Sequence, residues 1–274
     1  MEPIVALVAG ASRGVGRGIA LGLAEAGAIV IVTGRSSEAG PRTEGRRETV
    51  EDTARDVEAT GGRGHPYICD HTDEREVDGL VSWALRRFGR IDVAVSSVWG
   101  GNEGFDGDTF PDGSRWGTPF WRRPTGLMGR FQETGVRPAL LLARAVAPAM
   151  VSAKRGLIGF VSFDTSAFYL GDVFYDGAKH ALNRLAFACA QELRPHGVTA
   201  LALSPGRVAT ERVREAGEAD AASETPLFVG RAVAALAHDP DVMRHAGRVV
   251  ATADLARQYG FTDSDGRVPE RFRP

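Results

Sequence analysis

Lysine is nearly missing from this chain. Of its 33 basic residues only Lys154 and Lys179 are lysines, so almost all positive charge sits on guanidinium groups, and a lysine kept at one place stands out because an ammonium can lose or share a proton where a guanidinium cannot. Cysteine is as sparse. Cys69 and Cys189 stand alone without metal-ligand spacing, which excludes a disulfide framework, reads as two small core residues and suits a reducing cytoplasm. The net charge is only -2, so no overall field calls for nucleic acid or an anionic membrane. No apolar run approaches the roughly 18 residues of a membrane span. The opening MEPIVALVAGASRG lacks the basic leader and small-residue cleavage site of a signal peptide and reads as a first strand. Repeats of fixed period and low-complexity tails are absent as well.

What remains is an ordinary globular composition: 274 residues, 43% hydrophobic and 25% charged, core enough for one large domain over residues 1–274. Buried-type apolar runs at 4–9, 28–32, 65–69, 91–95, 157–161, 198–203 and 248–251 predict strands. Amphipathic patterns at 17–26, 48–59, 74–88, 126–151, 175–194, 226–237 and 254–259 predict helices. Alternation without a composition break implies an α/β fold, a Rossmann-type doubly wound parallel sheet of about seven strands with helices on both faces and ligands at the carboxyl ends of the strands.

Two stretches carry chemistry. The first strand runs directly into Gly10-Ala11-Ser12-Arg13-Gly14-Val15-Gly16 and a helix, the context that makes a glycine motif a phosphate cradle: Gly10 for the turn, Gly14 for close backbone approach and Gly16 for helix–strand packing. Where a carboxylate for ribose hydroxyls is usual, after the second strand, stands Thr33-Gly34-Arg35-Ser36. With no acid there, Arg35 and Arg13 suit a 2'-phosphate, unless Arg35 is a solvated loop charge. The second stretch is Tyr175-Asp176-Gly177-Ala178-Lys179. Residues four apart share a helix face, so the ammonium of Lys179 is placed to lower the pKa of the Tyr175 phenol and make it a usable acid/base. The pair alone decides nothing. Between these stretches, residues 98–125 hold six glycines, three prolines and three of the four tryptophans. So long an aromatic loop is either a wall over a substrate site or a satellite core that pins the loop down.

Taken in order, these motifs resemble the classical short-chain dehydrogenase/reductase family over essentially the whole chain. Gly10, Gly14 and Gly16, with Ser12, Arg13 and Val15 between them, match its nucleotide turn. Asp70, followed by His71, matches its adenine-contacting acid; Ser162, Tyr175 and Lys179 match its catalytic residues; Pro205, Gly206, Val208 and Thr210 match its nicotinamide-carboxamide loop. Within the family, the loop after the fourth strand and the ending Asp254-Leu255-Ala256-Arg257-Gln258-Tyr259-Gly260 look like the dehydrogenase/reductase member 1 type. Two departures stand out. The family's Asn-Asn-Ala-Gly is Ser96-Ser97-Val98-Trp99-Gly100 here, with Ser97 counted among the cofactor contacts, and the catalytic Asn of the long helix aligns with Gly135. The resemblance implies a carbonyl reductase, reversible as an alcohol dehydrogenase, acting on a small-molecule carbonyl or alcohol; the two arginines favour NADP(H), the aromatic loop a bulky apolar substrate, and the lone cysteines a cytoplasmic location. NAD(H) is the less favoured cofactor, and no metal is called for. It also implies a homodimer or homotetramer built on helices 127–150 and 175–193; the polar, Arg-rich tail 262–274 is left to run over the surface or onto a neighbour as a second contact. The competing class is a non-catalytic NADP-binding interaction protein on the same fold.

Overall fold

Most of the apolar runs become strands buried on both faces, while the edge run at 63–68 alternates between exposed and covered residues. The computed structural model describes residues 2–166 and 168–272. In it β1 (Val5–Ala9), β2 (Ile29–Gly34), β3 (Arg63–Ile68), β4 (Val93–Ser96), β5 (Gly156–Val161), β6 (Val198–Ser204) and β7 (Val249–Ala251) form one seven-stranded sheet in the order β3-β2-β1-β4-β5-β6-β7. Every pairing is parallel. Alternate residues of β1 feed opposite cores: Leu7 faces Leu80, Leu142 and Leu182, whereas Val8 faces Ile19, Val57 and Val233. Pro66 is tolerated because β3 lies at the sheet edge.

On one face lie α1 (Gly14–Glu25), α2 (Val50–Ala59) and α8 (Pro226–His238). On the other lie α3 (Glu74–Phe88), α5 (Arg137–Ala153) and α6 (Val173–Leu193). α1 and α8 touch backbone to backbone, since a Cβ on Gly22 would run into Gly230. The strand order reverses between β1 and β4, and the crevice beyond their carboxyl ends is where ligands of such sheets bind.

The long helix expected over 126–151 is interrupted. α4 (Gly126–Phe131) passes through a π turn, Gln132–Val136, before α5 begins. The local cause is twofold: Thr134 Oγ1 donates back to the Arg130 carbonyl at 2.7 Å, and the Thr134 carbonyl turns away to accept the Gly100 N–H at 3.1 Å. The continuous segment Gly126–Ala153 is long and apolar enough to cross a membrane by length and composition. In this fold its Leu142, Val146 and Met150 are buried in the sheet's own core. Two short helices complete the chain, α7 (Glu211–Glu215), which falls in a segment read from sequence as loop, and α9 (Thr252–Tyr259).

Candidate active site

The glycine turn has the geometry its sequence calls for. Gly10 and Gly14 adopt φ of +75° and +58°, where a side chain is strained, and a Cβ on Gly10 would come within 2.9 Å of the Ser97 and Val98 backbone. Ser97 is drawn there by its N–H, which donates to the Ala9 carbonyl at 2.9 Å. α1 begins at Gly14, three residues earlier than its apolar pattern suggests, with Arg13 at its N-cap and Val15 half-buried in its first turn. The Gly14 N–H donates to the Glu211 carboxylate of α7 at 2.8 Å. A carboxylate of this chain thus sits on the helix-end donor that a phosphate oxygen would use, so the cradle fits an anion. Beside it, between Ser12, Arg17, Arg42, Arg47 and Glu211, is a cleft of about 450 Å³.

The adenosine end corrects one expectation. No carboxylate was foreseen near the two arginines, yet Glu103 pairs with Arg35, and Glu44 pairs with both Arg13 and Arg212. Glu103 comes from a loop distant in sequence, and Glu44 from the Thr43–Gly45 turn of the excursion after β2, outside the stretch 33–36 where an acid is usual. Asp70 caps its own turn, accepting from the Thr72 N–H at 2.9 Å and the Thr72 hydroxyl at 2.7 Å. Burial works against its charge, but those bonds and nearby Arg35 leave its carboxyl below the usual range. His71 is a core residue: its ring is buried against the Thr33 hydroxyl at 2.7 Å and burial pushes it down to about 4, so its side chain is a neutral packing group.

Tyr175 and Lys179 project from the first turns of α6, and Ser162 follows β5. The Ser162 hydroxyl donates to the Lys179 carbonyl at 3.0 Å, Lys179 Nζ donates to the Val161 carbonyl at 3.4 Å, and that nitrogen lies 5.6 Å from the centre of the Tyr175 ring. The sequence brings these three residues to one corner of the crevice. The expected lowering of the Tyr175 phenol is not what its surroundings produce: burial, helped by the charge of Asp176, raises it. Burial also lowers the Lys179 ammonium to about 7.

The reason for that burial is the aromatic loop. Phe110 and Phe131 are fully enclosed, with Trp99, Phe105, Trp116 and Tyr175 packed around them, and Trp116 Nε1 donates to the Leu170 carbonyl at 2.7 Å. Of the two readings open from sequence, the satellite core describes Phe105, Phe110 and Trp116. Trp99 and Trp116 nevertheless touch the Tyr175 ring, with centroids 5.3 and 5.4 Å away. Phe120 and Trp121 are exposed. The loop is tied to α6 by a residue pair that sequence reading missed. Arg123 forms a fully buried ion pair with Asp172, and Asp172 Oδ1 accepts the Phe174 and Tyr175 N–H groups as the N-cap of α6. An Asp just ahead of an apolar helical pattern was the available signal.

Pro205 and Gly206 follow β6 and face a small hollow shared with Phe163, Glu224 and Phe272. Val208 bridges Glu224, and Thr210 caps α7 by accepting the Val213 N–H. Glu224 is buried, and among the described residues no basic group pairs with it: the Thr252 hydroxyl reaches both its oxygens, at 2.8 and 2.7 Å. The tail, which the sequence leaves to run over the surface or onto a neighbour, folds against its own chain as far as it is described. Arg271 pairs with Asp164 at 2.8 Å, and Phe272 meets Phe163 edge-on. Residues 273 and 274 lie outside the described residues.

A parallel sheet whose switch point carries an anion-binding glycine turn is the architecture of dinucleotide-binding α/β proteins. Residues 4–221 match the short chain dehydrogenase family, and the chain belongs to it. It is 37% identical to mouse dehydrogenase/reductase SDR family member 1, covering 97% of this chain and 85% of the mouse protein, and 36% identical to the human protein of that name, covering 99% and 87%. A solved short-chain type dehydrogenase/reductase from Mycobacterium marinum superposes with a TM-score of 0.71 at 26% identity, over 90% of this chain and 93% of that one. The chain is thus an oxidoreductase of this family, whose members use NAD(P)(H), act on small molecules and commonly form oligomers.

The buried Glu224 gives a pH dependence with a definite sign. Burial raises its carboxyl from 4.5 to about 7, so the folded chain keeps a proton that the unfolded chain releases, and stability falls as pH rises from about 4.5 to 7. Glu224→Gln, which keeps the hydrogen-bonding shape, is expected to remove about 3 kcal/mol of that fall. Urea midpoints of both proteins at pH 5 and pH 7.5 check it; parallel midpoints would mean that Glu224 is ionised in the fold.

Proposed function

We propose that the protein is an NADPH-dependent oxidoreductase that interconverts a carbonyl and a secondary alcohol on bulky apolar substrates, with Ser162, Tyr175 and Lys179 as its catalytic residues. The observation that carries the reading is the meeting of these three at the end of β5 and the start of α6, against an aromatic wall. The cofactor, when bound, supplies or takes up the hydride. Gly10, Gly14 and Gly16, with the N–H groups of α1, hold its phosphates, and the Pro205–Thr210 loop bounds the nicotinamide end. The Ser162 hydroxyl turns from the Lys179 carbonyl to hold the substrate oxygen. Tyr175 donates its proton to that oxygen as the carbonyl is reduced; a raised phenol keeps that proton available at neutral pH. Lys179 supplies the positive charge that stabilises the phenolate left behind. Trp99 and Trp116 flank the Tyr175 ring and hold it in place.

Tyr175→Phe keeps the ring and its aromatic packing but removes the proton, so turnover is expected to fall by roughly 10²-fold or more while cofactor binding survives. The assay is NADPH oxidation against a panel of aromatic, steroid, quinone and aliphatic carbonyls. Wild type inactive across the panel yet still binding NADPH would favour the non-catalytic reading. Near wild-type kcat in Tyr175→Phe would falsify the assignment of the acid.

Arg35 and Arg13 support NADPH over NADH, with Glu103 and Glu44 as internal competitors for the same guanidiniums. Losing one charge-assisted contact is worth about 1.5–3 kcal/mol, so Arg35→Ala is expected to cost roughly tenfold to a hundredfold in NADPH affinity with little change for NADH. Glu103→Gln is expected to tighten NADPH. Equal affinities for the two cofactors in the wild type would make Arg35 a surface charge.

Leu140 on α5 and Phe187 on α6 are large apolar side chains left exposed, and they support a homodimer or homotetramer through those helices. Light scattering at micromolar concentration is expected to give twice or four times the chain mass, and a monomer would exclude it.

A further inference from the structure

Trp99 places a large ring in a turn that a small residue could make. Its indole stacks on Phe131 and meets Tyr175 edge-on, with centroids 5.4 and 5.3 Å apart, and its Nε1 donates to Asn102 Oδ1 at 2.6 Å, which fixes the ring's rotation. The π turn leaves room for it, since a Cβ on Gly135 would come 2.6 Å from the ring. The ammonium of Lys179 lies 3.8 Å from the centre of one indole ring.

The other surroundings of that ammonium are poor in countercharge. From β5 comes the Val161 carbonyl at 3.4 Å, from its own helix the Tyr175 ring, and the Ser162 hydroxyl is engaged with the Lys179 carbonyl. Of the neighbouring charged or titratable groups, Asp176 acts on Tyr175, and His180 bonds the Thr165 hydroxyl. Among the described residues no carboxylate pairs with Lys179, and burial alone accounts for its lowering.

We propose that Trp99 is a positioning residue for Lys179, its π face holding the ammonium beside Tyr175 in place of a carboxylate or a polar chain. A cation over an indole face is attracted by the ring quadrupole, most strongly when desolvated. The contact therefore opposes the effect of burial. Its consequence for turnover rests on the proton-transfer reading of Tyr175 and Lys179; the contact itself does not.

Two lysines make the test direct. Full-length protein grown with isotope-labelled lysine gives two side-chain NMR signals, one from exposed Lys154 and one from buried Lys179. Trp99→Leu is expected to lower the Lys179 midpoint by about one pH unit or more, and Trp99→Phe, which keeps a π face, by less. An unchanged or raised midpoint in Trp99→Leu overturns the proposal. If that variant does not fold, Gly135→Ala, which pushes the ring aside while keeping the indole, decides in the same way. The pH profile of kcat separates the two readings: a limb that moves with the Lys179 midpoint ties the contact to proton transfer. A lowered midpoint with an unmoved profile leaves the Trp99 contact standing and removes Lys179 from the chemistry.

Discussion

The site depends on one buried ion pair. Arg123 lies between the rings of Phe110 and Phe174, each centroid 5.0 Å from its guanidinium carbon, and pairs with Asp172, whose other oxygen caps α6 at Phe174 and Tyr175. Taking both charges out of water is costly, and the pair is tolerated because the aromatic faces and the helix N-terminus supply what solvent no longer does. Its effect is to join two things that the chain makes separately. A glycine-rich loop with no regular structure to hold it becomes a wall, and the first turn of α6 gains a fixed position against that wall. Removing one partner alone would leave an uncompensated charge inside, a loss of about 3–5 kcal/mol in comparable pairs.

The corner at the glycine turn obeys a different constraint. Donors and cations gathered in one place repel one another, and here Glu211, Glu44 and Glu103 offset them from α7 and two loops. These pairs are partly exposed, so each is worth little by itself. Together they leave Arg13, Arg35 and Arg212 each with a carboxylate partner. An incoming anion exchanges one set of pairs for another instead of meeting bare cations.

How much of this was legible depended on whether the signal was local. The sheet was readable because most strands are continuous apolar runs between helical patterns, the edge strand β3 being the exception, and the glycine turn and the Tyr175–Lys179 spacing are contained within a few residues. Strand ends moved by one or two positions, since apolar content does not report where ladder bonds stop. Glu103 beside Arg35 was not legible, because it depends on how a loop some seventy residues away folds back. Nor was the π turn at 132–136, in which Gly135 leaves the space that Trp99 fills from another segment. The raised Tyr175 phenol belongs to the same class: spacing put a cation on its helix face, but the surrounding rings, which no spacing encodes, set its environment.

The scarcity of lysine also has a chemical consequence on the outside of the molecule. Lys154 closes α5 with a left-handed φ of 53° and is exposed, whereas Lys179 is enclosed. Arginine does not react with the activated esters used to attach dyes or surfaces to side-chain amines, so among side chains such reagents have one accessible target. That target lies at the end of β5 opposite the one where Ser162 stands. A fluorophore or support fixed there would hold the protein in a single orientation, with the crevice facing away.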